Sequence, residues 1–200
     1  MEQNREIEQL LEELDDEDTE IQDAATSALV EIGAPAVPAL VEALGHDVWD
    51  VCDGAADVLA RIGEPAIPDL IEALGDEIKH RSLNAADALG RLGKSAVPAL
   101  IQALNDSYQP VRENAARALG IMRNSAADAV PALSRALRDE DIEVRTNAAI
   151  ALSHLGESAS GAVPILAEAL LDESERVREH AAYALEQIGT PEAATALDQL

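Results

Sequence analysis

A column of alanines at a fixed interval restricts this chain more than any other feature. Ala25, Ala55, Ala85, Ala115, Ala148 and Ala181 recur at intervals of 30, 30, 30, 33 and 33 residues. A leucine four positions on keeps step, at Leu29, Leu59, Leu89, Leu119, Leu152 and Leu185. So does a proline later in each interval, at Pro38, Pro68, Pro98, Pro131 and Pro164. Three columns with one period identify internal repeats, and a period of this length means small units that bury their apolar faces only by stacking on one another.

Each interval holds two helical patterns. In the first, Val111, Ala115, Ala118, Leu119 and Met122 fall on one face, at i, i+4, i+7, i+8 and i+11. Gly33, Gly63, Gly93, Gly156 and Gly189 follow it where a left-handed cap is expected, and Arg123 takes that place in the fourth repeat. The second pattern starts near the recurrent proline, which a first helical turn tolerates. Its apolar face is Val37, Leu40, Val41 and Leu44. The three extra residues of the two longer repeats fall between the paired helices, in the stretches NSAADAVP and ESASGAVP. Ile7, Leu10, Leu11 and Leu14 precede the second-helix face by 30 residues, so the N-terminus reads as a lone second-type helix with Glu6, Glu8, Glu12 and Glu13 as a polar cap. The stretch TPEAATALDQL reads as a short last helix, where either the array ends or the natural chain continues. No run alternates like a strand. The expected fold is therefore all-α, a solenoid of stacked antiparallel helix pairs with no β-sheet. It forms one domain, 1–200, with a cap at 1–15 and repeats near 16–45, 46–75, 76–105, 106–138, 139–171 and 172–200.

Composition fits thin layers. The chain has no Phe, one Trp and two Tyr, so its core must be built from Ala, Leu, Ile and Val. Lys and Arg number 14 against 39 Asp and Glu, a formal charge of −25. That sign disfavours nucleic acid and anionic membranes. It permits a cation or a basic protein partner, and it also keeps an open-ended array soluble. Cys52 is the only cysteine, which excludes an intrachain disulfide and a cysteine-based zinc site. The acidic, amphipathic N-terminus does not read as a signal peptide, and no apolar run approaches the ~18 residues of a membrane span, so a cytoplasmic protein is expected.

The unit D-x5-R-x2-AA-x2-ALG…AVPAL resembles the short HEAT-like repeat of the phycobilisome-lyase type. It is carried here by Asp106, Arg112, Ala115, Ala116, Ala118, Leu119, Gly120 and then Ala129 to Leu133. Asp139 with Arg145 and Asp172 with Arg178 repeat the acid–arginine pair, whereas the first three repeats hold Gln22, Cys52 and Ser82 at the arginine position. The resemblance covers essentially the whole chain. It implies a right-handed α-solenoid with first helices convex and second helices concave. Proteins of this kind serve mostly as scaffolds and adaptors. Some relatives attach or remove bilins on light-harvesting proteins, some hydroxylate a modified lysine at a di-iron site, and some excise DNA bases.

The candidate site lies on the second helices, away from their apolar faces. One column there reads Glu12, Glu42, Glu72, Gln102, Arg135 and Glu168, and a neighbouring one contributes Asp69. This face is acidic early and basic at Arg135 and Arg138, which suits either a plain solvated surface or a groove for a protein or peptide of basic character. Trp49 and Tyr108, near turns between repeats, are candidate interaction anchors or local packing. The loop aspartates Asp76, Asp106, Asp139 and Asp172 are expected to cap first helices, and the arginines to brace neighbouring repeats. Asn84, Asn114 and Asn147 are expected to satisfy loop backbone. No catalytic residue, metal site or cofactor is expected. His46, His80, His154 and His180 share no ligand spacing, Glu179-His180 is a single reversed pair, and Cys52 reads as a helix-edge residue. The expected function is a non-catalytic scaffold with an acidic concave surface. A bilin-lyase-like subunit and a fragment of a larger HEAT array are the alternatives.

Overall fold

The computed structural model describes residues 2–198. Met1, in the expected cap, and Gln199 and Leu200, in the expected last repeat, lie outside the described residues. In chain order the helices are α1 (Glu2–Glu12), α2 (Thr19–Ile32), α3 (Val37–Ala43), α4 (Trp49–Ile62), α5 (Ile67–Ala73), α6 (Lys79–Leu92), α7 (Val97–Ala103), α8 (Gln109–Ile121), α9 (Val130–Ala136), α10 (Ile142–Leu155), α11 (Val163–Ala169), α12 (Glu175–Ile188) and α13 (Pro191–Leu197). Even numbers are first helices of the repeats and odd numbers are second helices. There is no strand among the described residues, and the architecture is an α-solenoid of helix pairs.

The helices group into two compact units divided between Ala96 and Val97. In the first unit α2, α4 and α6 stack in order, with α1, α3 and α5 packed beside them. In the second, α8, α10 and α12 stack, with α7, α9, α11 and α13 beside them. The six column alanines are fully buried, and so are their leucines. Each such leucine contributes about 1.5–3 kcal/mol by leaving water. Close approach of backbones is needed as well. A Cβ on Gly120 would lie 3.2 Å from the Ala151 Cα, so α8 and α10 meet where only glycine fits without displacement.

The links between paired helices are 3₁₀ turns. They run Ala34–Ala36 and Glu64–Ala66 in the short repeats and lengthen to Arg123–Ala129 and Gly156–Ala162 in the long ones, which is where the three extra residues go. The glycines before them do take positive φ, but Gly33 has φ 69° and ψ −135°, a mirror-image extended conformation rather than the expected left-handed cap. Gly189 alone among the five has the left-handed helical geometry. Arg123 adopts φ 50° in the same column, a conformation that crowds any Cβ.

The turns between repeats share one hydrogen-bond scheme. Asp16, Asp76, Asp106, Asp139 and Asp172 each accept, through Oδ1, the N–H of the residue two positions on. In the second repeat His46 accepts the Val48 N–H through Nδ1 at 3.1 Å. The aspartates therefore shape the turn just ahead of the helix instead of capping its N–H groups, because their carboxylates sit two residues before the N-cap. Six residues on, a donor reaches back to the carbonyl of the same turn residue. Gln22, Cys52, Arg112, Arg145 and Arg178 all do this, at 2.7–3.0 Å. Ser82 differs and bonds Lys79 O.

Only an arginine can also reach the next repeat. Arg112 forks onto Asp139 at 2.8 and 2.9 Å, and Arg145 onto Asp172 at 2.9 and 3.1 Å. Both pairs are nearly buried. Burial pushes the Asp139 and Asp172 carboxyls up, but the arginine forks, a backbone N–H and positive charge outweigh it, and both lie below the usual aspartate value. In the first unit Arg91 plays an outer version of this part, holding Asp53 and Asp87. Asn84 reaches a repeat further back, donating to Leu44 O at 2.8 Å, whereas Asn147 turns onto its own helix at Glu143 O.

Three outcomes follow from this frame. Asp139→Ala, which strands a buried guanidinium, destabilises by about 3 kcal/mol in denaturant melts, and adding Arg112→Met recovers about half of that. Because the folded-state carboxyl values are depressed, this stabilisation is complete above the unfolded aspartate value and is lost as pH falls through the folded one. Stability should therefore drop on acidification, less so in Asp139→Asn/Asp172→Asn. Arg123→Gly removes the left-handed strain and raises stability by roughly 1 kcal/mol.

Candidate functional site

Two adjoining grooves on the second-helix side of the first unit gather four of the expected site residues, Glu12, Glu42, Asp69 and Glu72. The larger, about 550 Å³, is lined by Glu8, Glu12, Asp15, Glu42 and His46 over an apolar floor of Leu11, Ala39, Ala43 and Val51. The smaller, about 290 Å³, has Glu42, Asp69, Glu72, Asp76 and Arg81 beside Pro38, Val41 and Ala73. Glu42 belongs to both. The reason is periodic: the column residues of α1, α3 and α5 point the same way because each helix repeats the same register against its neighbours.

Charge partners divide these carboxylates into two kinds. Glu8, Glu12, Asp15, Glu42, Asp69 and Glu72 have no ion-pair partner among the described residues. Asp76 is held by Arg81 at 2.9 Å. Burial raises the Asp76 carboxyl, while the Ile78 N–H, the Arg81 bond and the Arg81 charge together bring it below the usual value. Arg81 lies across Gly45, and its Nε is buried with no hydrogen-bond partner among the described residues. Sequence reasoning passed over Arg81. The signal was present, since it stands in a column that otherwise holds Ile21, Val51, Val111, Val144 and Val177. Glu8, Asp15 and His46 were also not assigned to the site, because the lining of a groove depends on which loops fold over it.

The second unit differs. Its groove, about 400 Å³, is lined by Arg138, Asp139, Arg145, Glu168, Asp172 and Glu173 with Leu137, Ile165 and Ala169. Arg138 bonds Glu168 at 2.6 Å, an exposed pair worth under about 1 kcal/mol, and the aspartates are held by the buried arginines. Gln102 on α7 and Arg135 on α9 are exposed but are not among the residues lining it. Trp49 and Tyr108 are not packed over their turns. They are 71% and 51% exposed, each in its own unit.

Cys52 is buried, and its thiol donates to His46 O at 2.9 Å and Val48 O at 3.3 Å. Burial, partly offset by the bond to the His46 backbone and helped by the nearby charges of Asp47 and Asp53, raises its pKa, which suits a structural donor rather than a thiolate nucleophile. Among the described residues no three His, Cys, Asp or Glu side chains group as metal ligands. No single helix there is long and apolar enough to cross a membrane; α2 and α3 together have the length but are bent by 109°.

A family profile described as HEAT repeats matches residues 7–90, 77–153, 97–172 and 130–200. No curated protein matches the chain. Among solved structures, an engineered protein is 24% identical with a TM-score of 0.53, over 96% of this chain and 61% of its own length. The chain thus spans less than two thirds of that protein. The CpcE–CpcF complex of phycocyanin lyase from Nostoc sp. PCC7120 is 23% identical with a TM-score of 0.56, over 75% of this chain and 98% of the matched one. A designed armadillo repeat protein in complex with the peptide (KR)4 is 19% identical with a TM-score of 0.51, over 90% and 98%. At these identities the likenesses establish the fold.

The Arg81 arrangement can be tested at Gly45. A Cβ there would lie 2.9 Å from Arg81 Nε and 3.2 Å from Nη2, so Gly45→Ala should push the guanidinium off Asp76. The Asp76 carboxyl then rises toward the ordinary aspartate value in an NMR titration, while the fold, read by circular dichroism, is retained.

Proposed function

The chain belongs to the HEAT-repeat family, and on that premise we propose that it is a non-catalytic binding scaffold whose second-helix face takes a basic peptide or protein segment. The observation that carries the reading is the pair of grooves sharing Glu42, with six carboxylates that meet no cation among the described residues around an apolar floor. Lysine and arginine side chains match that combination. Their aliphatic stems lie along Leu11, Ala39, Ala43 and Val41 while their charged heads meet Glu12, Glu42, Asp69 and Glu72. The free carboxylates also repel one another, so a cationic ligand relieves a strain that the arginine-rich second unit does not have. In that unit Gln102 and Arg135 interrupt the acidic column, which makes residues 8–81 the favoured part for a basic ligand.

The designed armadillo protein with bound (KR)4 supports this choice of ligand class by analogy of fold, and it supplies a probe. The likeness to CpcE–CpcF adds nothing beyond fold to the bilin-lyase alternative. A cytoplasmic setting remains part of the proposal.

Titration calorimetry with (KR)4 should give saturable binding that weakens as NaCl rises. Glu42→Lys/Glu72→Lys should weaken it by about tenfold or more. Affinity unchanged in that variant, or equal affinity for an alternating Asp–Glu peptide, would sink the reading.

A further inference from the structure

The turn that opens α4 exposes two consecutive large apolar residues, Val48 and Trp49. Helix N-caps favour Asp, Ser, Thr and Asn, whose side chains accept a free first-turn N–H. Asp18 does this for α2, accepting from Glu20, and Asp141 does it for α10, accepting from Glu143 and Val144. Four other first helices begin without such a bond, at Tyr108 of α8, at Ser174 of α12, and at the aliphatic Val48 of α4 and Ile78 of α6. Neither Val48 nor Ile78 gains burial in exchange, since they are 36% and 40% exposed. Trp49, the chain's only tryptophan, follows Val48 and is the most exposed aromatic residue described. An uncapped start and an exposed apolar N-cap thus coincide at α4, α6 and α8, and at α4 the exposed Trp49 adds to them. Neither helps folding, and such conflicts concentrate where a surface is kept for a partner.

The turn is nevertheless well held. Its backbone is tied by the Val48 N–H to His46 Nδ1 bond and by the Cys52 thiol to His46 O and Val48 O. The indole is therefore displayed from a fixed base, which lowers the ordering cost of binding.

Charge identifies the chemistry of the partner. Asp47 and Asp50 flank Trp49, are exposed, and have no ion-pair partner among the described residues. Asp53, one turn on, is already taken by Arg91. An exposed indole with free carboxylates two positions before it and next to it in the chain suits a guanidinium, which stacks flat on a ring and donates in its own plane to acids. We propose that Asp47–Asp50 forms a docking patch for an arginine side chain of a protein partner, its stem resting on Val48. His46 and Val51, which bracket this stretch in the chain, line the larger groove. The proposal rests on the basic-partner reading and adds to it a specific anchor that prefers arginine to lysine.

Because Trp49 is the sole tryptophan, its emission reads this patch directly. The probes are the acetylated tetrapeptide amides Gly-Arg-Arg-Gly and Gly-Lys-Lys-Gly. The arginine peptide should change the emission saturably, at a half-saturation at least about fivefold below that of the lysine peptide. Asp47→Asn/Asp50→Asn should weaken the arginine response at least about fivefold, whereas Glu42→Lys/Glu72→Lys should shift it less than about twofold. Val48→Ser should weaken the arginine response while the fold, read by circular dichroism, is retained. Equal responses to the two peptides, or no effect of the aspartate changes, would overturn the proposal. So would a response that follows the groove variant instead, and an emission shift set by protein concentration alone would assign the patch to a second copy. If (KR)4 fails to bind the groove while the tetrapeptide response holds, the patch stands and the groove reading falls.

Discussion

How closely the first helices approach one another governs the rest of this molecule. The column alanines are fully buried, and at Gly120 the gap to the next helix leaves no room for a methyl group without movement. Close-packed small residues make thin layers, and thin layers make a short period. The period sets the register of everything attached to it: the second helices, their outward columns, and the turns between repeats.

At those turns a structural task is kept while the residue that performs it changes. Gln22, Cys52 and Arg112 differ in size, charge and chemistry, yet all donate to the carbonyl six residues earlier. His46 stands in for aspartate as acceptor in the same way. Arginine adds length, and with it a second connection across to the next repeat's aspartate. Two sorts of repeat result. Those with arginine absorb their loop carboxylates into buried pairs, and those without leave more acid to solvent. In the second unit's groove Arg145 pairs Asp172 and Arg138 pairs Glu168, whereas the second-helix carboxylates of the first unit's grooves meet no cation among the described residues.

The helix faces, the buried leucines, the place of the three extra residues and the unusual backbone at Arg123 could all be read from periodicity, because each depends on neighbours within one turn or one repeat. The acidic column Glu12, Glu42, Glu72 was legible for the same reason, and Asp69 with it. What could not be read was how each acid is matched. Asp53 meets Arg91 from 38 residues away and Asp139 meets Arg112 from 27, while Asp47 and Asp50 meet no cation among the described residues. The aspartates' role also shifted, from capping a helix to shaping the turn before it, since a two-residue offset changes which N–H a short side chain reaches.

By itself, then, the sequence determined the period, the all-α class, the core columns and the surplus of negative charge, all local or additive properties. Only the tertiary structure decided which carboxylates remain free, which helices start without a cap, and that Trp49 stands open beside unpaired acids. Those outcomes depend on side-chain reach between repeats, and reach is a property of packed neighbours that spacing along a chain does not carry.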